Sequence, residues 1–120
     1  MSRQKQRGTS FETAVVDWLN ERMGTDTFHR LGMGGTHDEG DVWGLFSHGK
    51  RIVIECKNHK AMALSEWLDE AEVERGNADA LASVVAHKRK GRGAKSFGET
   101  YVTMTLEDLV AILTGERKWQ

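Results

Sequence analysis

The amino-acid sequence predicts an α/β protein in which helices flank a central mixed β-sheet, with the element order α-β-β-β-α-β-β-α. Segments with apolar residues at helical spacing alternate along the chain with short apolar runs typical of strands. Two of these runs are joined by a short turn that ends in glycine, as in a hairpin. The chain has 120 residues, so we expect one domain over 1–120, with a basic arm at 1–8 and a tail at 115–120.

The first helix is predicted over Ser10–Met23, because its apolar residues recur on one face and Gly24 follows it. Thr9 is a candidate N-cap, and Glu12 three residues later would complete a capping box. A short strand is expected over 25–31, and the glycine-rich stretch 32–40 must be a loop.

The hairpin is predicted to join strands 41–46 and 50–57 through a three-residue turn, Ser47-His48-Gly49. This register places Phe46 opposite Lys50. Continued residue by residue away from the turn, the same register pairs Asp41 with Glu55, on the same face of the sheet.

The second half of the chain contains a helix, two strands and a last helix. The second helix is marked by Leu64, Trp67, Leu68, Ala71 and Arg75, and a buried strand follows over 81–87. A basic loop leads to a strand over 101–104. Thr105 is expected to cap the last helix, whose apolar residues are Leu106, Leu109, Val110 and Leu113.

Composition excludes several classes of protein. No apolar run approaches the roughly 18 residues that span a bilayer, and no apolar segment follows the basic N-terminus as it would in a signal peptide. The single cysteine, Cys56, allows neither an internal disulfide nor a multi-cysteine zinc site. We therefore expect a cytoplasmic protein with no membrane partner.

Charge is segregated along the chain although the net charge is only −1. Arg3, Lys5 and Arg7 open the sequence without an acid, and Lys88 to Lys95 is a second purely basic stretch. The segment 65–79 holds six acids against one arginine. Such sorting can present a basic face to a polyanion, although a solvated loop is the plain alternative for the second basic stretch.

The residues with the strongest chemical signal are Asp41, Glu55 and Lys57. Alternation along a strand turns Glu55 and Lys57 to one face, and the hairpin register adds Asp41 beside them. Two adjacent carboxylates repel each other unless a cation intervenes, and their oxygens suit Mg²⁺, with the Cys56 backbone carbonyl as a further ligand. Lys57 could then orient the attacking water or stabilise charge on a phosphate. The structural alternative is an ion pair between Glu55 and Lys57.

These residues give the chain a resemblance to a known superfamily. The motif residues are Arg7-Gly8-Thr9-Ser10-Phe11-Glu12, a glycine-rich loop, Gly40-Asp41-Val42, and Ile52-Val53-Ile54-Glu55-Cys56-Lys57. Together they resemble the PD-(D/E)XK nucleases, and most closely the small archaeal-type Holliday junction resolvases and their bacteriophage-encoded relatives. The chain departs from the motif in having Gly40, rather than proline, before Asp41.

The resemblance implies a restriction-endonuclease-like fold and hydrolysis of phosphodiester bonds in DNA with Mg²⁺ or Mn²⁺, leaving 5′-phosphate ends. Asp41 and Glu55 would be metal ligands, Lys57 the catalytic lysine and Glu12 a further acid at the metal site. Glu12 therefore has two open interpretations, metal site or helix cap. If the chain is phage-encoded, its compartment would be the host cell cytoplasm.

We expect DNA, and four-way junctions in particular, to be the partner, with the protein acting as a homodimer. The strands at 84–85 and 101–104 are candidates for the dimer interface or for the core. Alternatives are a nuclease of the same fold that acts on flaps, single strands or duplex DNA, and a non-catalytic DNA-binding protein. The candidate DNA contacts are Arg3, Lys5, Arg7, Gly34, Gly35, Lys60, Lys88, Arg89, Lys90 and Arg92.

Overall fold

A computed structural model of the chain describes residues 3–32 and 37–117, with side chains from residue 9 onward. The elements are α1 (Arg3–Met23), β1 (His29–Arg30), β2 (Val42–Ser47), β3 (Lys50–Lys57), α2 (Leu64–Ala78), β4 (Ala82–His87), a 3-10 segment (Ala94–Glu99), β5 (Tyr101–Thr103) and α3 (Leu106–Thr114). The predicted order of helices and strands is confirmed, and only the 3-10 segment is additional.

The five strands form one mixed sheet in the order β1-β2-β3-β4-β5. β3 and β4 are parallel and are connected through α2, whereas the other neighbouring strands are antiparallel. A core cluster on one face joins α1 and α3 to alternate residues of β3, such as Ile52 and Ile54. On the other face, Trp67 and Ala71 of α2 pack on Val85. The predicted α/β class, with a mixed sheet flanked by helices, is thereby confirmed.

The turn between β2 and β3 has two residues, so the predicted three-residue turn is wrong. Ser47 pairs with Lys50, while His48 and Gly49 have φ of 53° and 73°. Two left-handed residues match the twist of a hairpin, which is why this turn is favoured. The pairing near the turn is consequently one residue away from the predicted register.

A β-bulge between Val42 and Leu45 removes this difference. The extra residue on β2 brings Val42 opposite Ile54, as the predicted register requires. Gly44 lies within the bulge at φ of 131°, and a Cβ there would be 2.9 Å from Phe28 Cα. Asp41 and Glu55 therefore meet as predicted, but through a tight turn and a bulge rather than a longer turn.

Two boundaries differ from the predictions at the start of the chain. α1 begins at Arg3 rather than Ser10, since the residues before Thr9 are mostly good helix formers, so no arm precedes it over 3–8. Thr9 is inside the helix, where its carbonyl accepts a bond from Thr13 Oγ1 at 3.1 Å, and the predicted capping box is wrong. β1 is short because Asn20 holds both backbone groups of Phe28, at 2.9 and 3.0 Å.

The C-terminal segment is attached to the domain. Thr105 caps α3 as predicted, its Oγ1 accepting from the N–H of Asp108 at 3.1 Å. Arg117 reaches back to Asp108 at 2.7 Å and to the carbonyl of Leu81 at 3.2 Å, and both side chains of the ion pair are buried. Residues 115–117 of the predicted tail are therefore attached to the domain, and residues 118–120 lie outside the described residues.

Candidate active site

Asp41 is held against the end of β3 by its own backbone and side chain. Its N–H donates to the carbonyl of Ile54 at 2.9 Å, and its Oδ2 accepts from the N–H of Cys56 at 2.8 Å. Gly40 makes this approach possible, because a Cβ there would lie 2.7 Å from Val53 Cγ1. Its φ of 100° also excludes proline, whose φ is fixed near −65°. The glycine that departs from the superfamily motif is thus required by this backbone.

Glu55 is a buried acid on a central strand, 6% exposed, and its Oε1 has no hydrogen-bond partner among the described residues. Burial, then the nearby carboxyl groups of Asp41 and Glu74, raises the pKa of Glu55 to about 11. In the metal-free protein at neutral pH, this side chain therefore carries a proton.

Glu74 of α2 joins the same acidic group and was not singled out from the sequence. It is 4% exposed, and its Oε1 also has no partner in the described part of the chain. Burial raises its pKa to about 8, with contact to Glu55 opposing the shift and Asp38 and Asp41 adding to it. Glu74 lies seven residues after Trp67, that is, two helical turns further along the buried face of α2. This spacing could have identified Glu74 from the sequence as an acid that faces the sheet.

Lys57 lies at the end of β3 beside this acidic group. Its Nζ is 2.7 Å from Glu70 Oε2 and 3.5 Å from Glu55 Oε2, so the predicted contact with Glu55 exists but the shorter one is to α2. Burial acts to lower the pKa of Lys57, and the two carboxylates more than offset this, so that its pKa is raised. The ammonium is therefore charged over the whole physiological range.

Glu12 faces the site from α1. It lies inside the helix rather than three residues after a cap, so the capping interpretation is wrong. Burial and the charge of Asp41 raise its pKa, while Arg30, whose Nε is 3.2 Å from Glu12 Oε1, works in the opposite direction. The position of Glu12 near Asp41 is compatible with its proposed place at a metal site.

Cys56 turns its side chain to the face opposite Glu55, into the core cluster shared with α1, with the carboxyl groups of Asp41 and Glu12 nearby. Burial raises the pKa of its thiol, which makes it an inert core residue. The backbone N–H of Cys56 is bonded to Asp41, which places this residue next to the acids. That its carbonyl is a metal ligand stays a prediction.

The acidic group is chemically suited to a hard cation without being a preformed cage. Within the described residues, no three His, Cys, Asp or Glu side chains are already arranged to hold a metal ion. Two buried carboxyl oxygens, one each on Glu55 and Glu74, are unpartnered, and Asp41 lies next to them. Carboxylate oxygens in this number are what Mg²⁺ and Mn²⁺ bind, together with water. The donor set therefore fits such an ion.

A basic groove of about 580 Å³ opens beside Lys57. Its cationic lining residues are Lys57, Lys60, Lys88, Arg89 and Lys90, and none of the described lining residues is Asp or Glu. Four of the predicted DNA contacts thus come together in one groove that starts at the candidate catalytic lysine.

The other predicted DNA contacts are distributed differently. Arg92 lies outside the groove lining, with its Nε 2.9 Å from Glu99 Oε1. Arg3, Lys5 and Arg7 fall in the first turns of α1, and Gly34 and Gly35 lie outside the described residues. The groove is therefore the part of the predicted DNA surface that the structure describes best.

Comparison of the chain with protein-family models, with curated proteins and with solved structures gives no match in any of the three.

Proposed function

We propose that the protein is a metal-dependent DNA endonuclease that hydrolyses phosphodiester bonds. One observation carries the proposal: the Asp41, Glu55 and Glu74 carboxyl groups and the Lys57 ammonium meet where a basic groove begins. A purely structural ion pair would need one acid, whereas this site gathers several buried acids that destabilise one another. Such clustering of shifted pKa values is typical of functional sites.

The metal ligands in this proposal are Asp41 and Glu55, with the Cys56 carbonyl, and Glu12 and Glu74 stand close by. Mg²⁺ or Mn²⁺ would neutralise phosphate charge and lower the pKa of a bound water. Occupation of the site requires Glu55 to release its proton, so affinity for the metal should rise with pH.

Lys57 supplies the group that acts on the phosphate itself. Its charged Nζ, positioned by Glu70 and Glu55, can donate hydrogen bonds to a non-bridging phosphate oxygen or to the attacking water. Water adds to phosphorus, the bond to the 3′-oxygen breaks, and that oxygen takes up a proton. The products are a 5′-phosphate and a 3′-hydroxyl.

The substrate we propose is a four-way DNA junction, bound by a homodimer. Resolution needs two symmetric cuts, and a two-fold dimer provides two sites for them. An apolar surface that the described residues leave exposed is available for the dimer: Leu106, Val110 and Leu113 on α3 are 80%, 54% and 68% exposed. Of the two strands predicted from the sequence as interface or core, Val84 and Val85 are buried in the core, whereas Tyr101 and Val102 are exposed. Among the described residues, no helix is long and apolar enough to cross a membrane.

The deciding experiment incubates the protein with Mg²⁺ or Mn²⁺ and labelled junction, flap, fork, single-stranded and duplex DNA. We expect the wild type to cleave the junction and Asp41→Asn to lose this cleavage. The matched control Asp69→Asn should keep it, because Asp69 is an exposed acid on α2. Full activity of Asp41→Asn would refute the site. Binding without any cleavage would favour the non-catalytic alternative. Preferential cleavage of another DNA would show that this DNA, rather than the junction, is the substrate.

Oligomeric state is tested separately by light scattering. Leu113→Glu should convert a dimer to a monomer, because a charge on the apolar surface of α3 cannot be buried without a partner. Val73→Glu is the control, since Val73 is a similarly exposed apolar residue on α2. A wild-type protein that is monomeric at all concentrations would contradict the dimer.

A further inference from the structure

A continuous series of aromatic rings lies along the basic groove. The ring centroids of His59 and Trp67 are 5.7 Å apart, those of Trp67 and His87 are 5.4 Å apart, and those of His87 and Tyr101 are 5.2 Å apart. All four residues line the groove. Trp67 and His87 are buried, whereas Tyr101 is 41% exposed at the edge strand β5, so the series ends in an accessible ring.

This series is aligned with the candidate catalytic lysine. Lys57 lies beside His87 in the parallel β3–β4 register, and His87 lies opposite Tyr101 in the β4–β5 register. Neighbouring strands are about 4.8 Å apart, so Tyr101 is roughly 10 Å from Lys57 across the sheet. A phosphate at Lys57 and the base of a neighbouring nucleotide at Tyr101 would share one row of the sheet.

The polar groups around Tyr101 suit a nucleotide. The Arg89 guanidinium lies 5.0 Å from the centroid of the Tyr101 ring. Lys60, Lys88 and Lys90 have no ion-pair partner in the described part of the chain and are available for phosphates. His87 Nε2 is 2.7 Å from Thr103 Oγ1, while its buried Nδ1 has no partner among the described residues.

We propose that the groove binds an unpaired nucleotide of the DNA substrate, with its base stacked on the Tyr101–Arg89 unit and its phosphates on the lysines. Bases inside a duplex are already stacked and cannot use a protein ring, whereas aromatic rings beside cations are typical of single-strand sites. A base can join by displacing the guanidinium or by stacking on it, and both arrangements need the Tyr101 ring. The inference rests on the proposed function for its reaction. It adds that recognition depends on interrupted pairing next to the scissile phosphate, as at a branch point.

Binding in EDTA tests this without cleavage, so its outcome is separate from that of the nuclease proposal. Fluorescence anisotropy compares a fully paired four-way junction with the same junction carrying one unpaired thymidine at the branch point. We expect the unpaired thymidine to tighten binding by the wild type, and Tyr101→Ala to remove this gain. Stacking contributes about 1–3 kcal/mol per base, which corresponds to roughly five- to 140-fold in affinity.

Two variants serve as controls. Tyr101→Phe keeps the ring and should keep the preference for the unpaired thymidine. Val102→Thr changes the neighbouring side chain, which faces the opposite side of β5, and should also keep it. Equal affinity for both junctions, or a preference that survives in Tyr101→Ala, would overturn the inference.

A spectroscopic readout tests the stacking directly. We expect 2-aminopurine at the unpaired position to lose fluorescence on binding to the wild type and to Tyr101→Phe, but not to Tyr101→Ala. Quenching by all three proteins would place the base elsewhere and overturn the role of Tyr101.

Discussion

Replacing Glu55 by glutamine should flatten the dependence of stability on pH. Burial and the neighbouring Asp41 and Glu74 raise the pKa of Glu55 to about 11 in the folded protein, against about 4.3 in an unfolded chain. Between pH 6 and 9 the Glu55 side chain therefore holds one proton in the folded state that it lacks in the unfolded state, and Glu74, whose pKa is raised to about 8, adds to this below that pH. Because stability falls with pH when the folded state binds more protons, Glu55 makes the protein less stable as pH rises.

The size of this effect follows from the proton count and hardly depends on the size of the pKa shift. One extra proton gives a slope of about 1.4 kcal/mol per pH unit, or about 2.7 kcal/mol from pH 6 to pH 8. The Glu55→Gln variant lacks this contribution, so its free energy of unfolding relative to that of the wild type should rise as pH increases.

Urea unfolding followed by circular dichroism, at pH 6, 7 and 8 in EDTA, measures the two slopes. Glu66→Gln is the matched control, since Glu66 is an exposed acid on α2. Parallel curves for Glu55→Gln and the wild type would refute the buried, protonated state of Glu55. Adding Mn²⁺ should stabilise the wild type more at pH 8 than at pH 6, because the metal competes with the proton.

Three further predictions concern the lysine, the groove and the C-terminal anchor. Lys57→Ala should lose most cleavage but keep Mn²⁺ binding in calorimetry, because its ammonium acts on water or phosphate; loss of both would indicate a structural ion pair. Replacing residues 88–90 by glutamine should flatten the plot of log affinity against log salt by about 0.9 for each lost phosphate contact, and an unchanged slope would mean that the loop is only solvated. Arg117→Ala should reduce the free energy of unfolding by about 3–5 kcal/mol, because it leaves the buried carboxylate of Asp108 without its cation; a change below about 1 kcal/mol would show that the pair is solvated.

The elements were predictable where the local pattern was strong. The β3 run, the α2 stripe and the Thr105 cap each depend on residues near one another in sequence, and all three are present in the structure. The start of α1 was not predictable, because a capping pattern such as that of Thr9 and Glu12 can also occur inside a longer helix. The short β1 depends on Asn20 holding Phe28 from eight residues away, a contact that periodicity does not encode.

The candidate site was predictable along the hairpin but not across the layers. Asp41, Glu55 and Lys57 lie on or next to two neighbouring strands, and counting along the chain brought them together because the bulge between Val42 and Leu45 offsets the shorter turn. Glu70 and Glu74 reach the site from α2, and their contribution depends on how that helix is rotated on the sheet. The apolar residues of α3 are a second example. Their spacing correctly predicted a helix, but it did not predict that most of these residues would be exposed rather than packed on the sheet.

The bulge around Gly44 has a consequence for how this site can be found in other chains. Thirteen residues separate Asp41 from Glu55, an odd number, whereas a regular hairpin with a two-residue turn pairs residues separated by an even number. The bulge accommodates the odd residue. A chain with one residue fewer or one more between the two acids, and no bulge, would place the same carboxylates side by side. A search that fixes the spacing between the acids would therefore miss proteins whose site has the same shape.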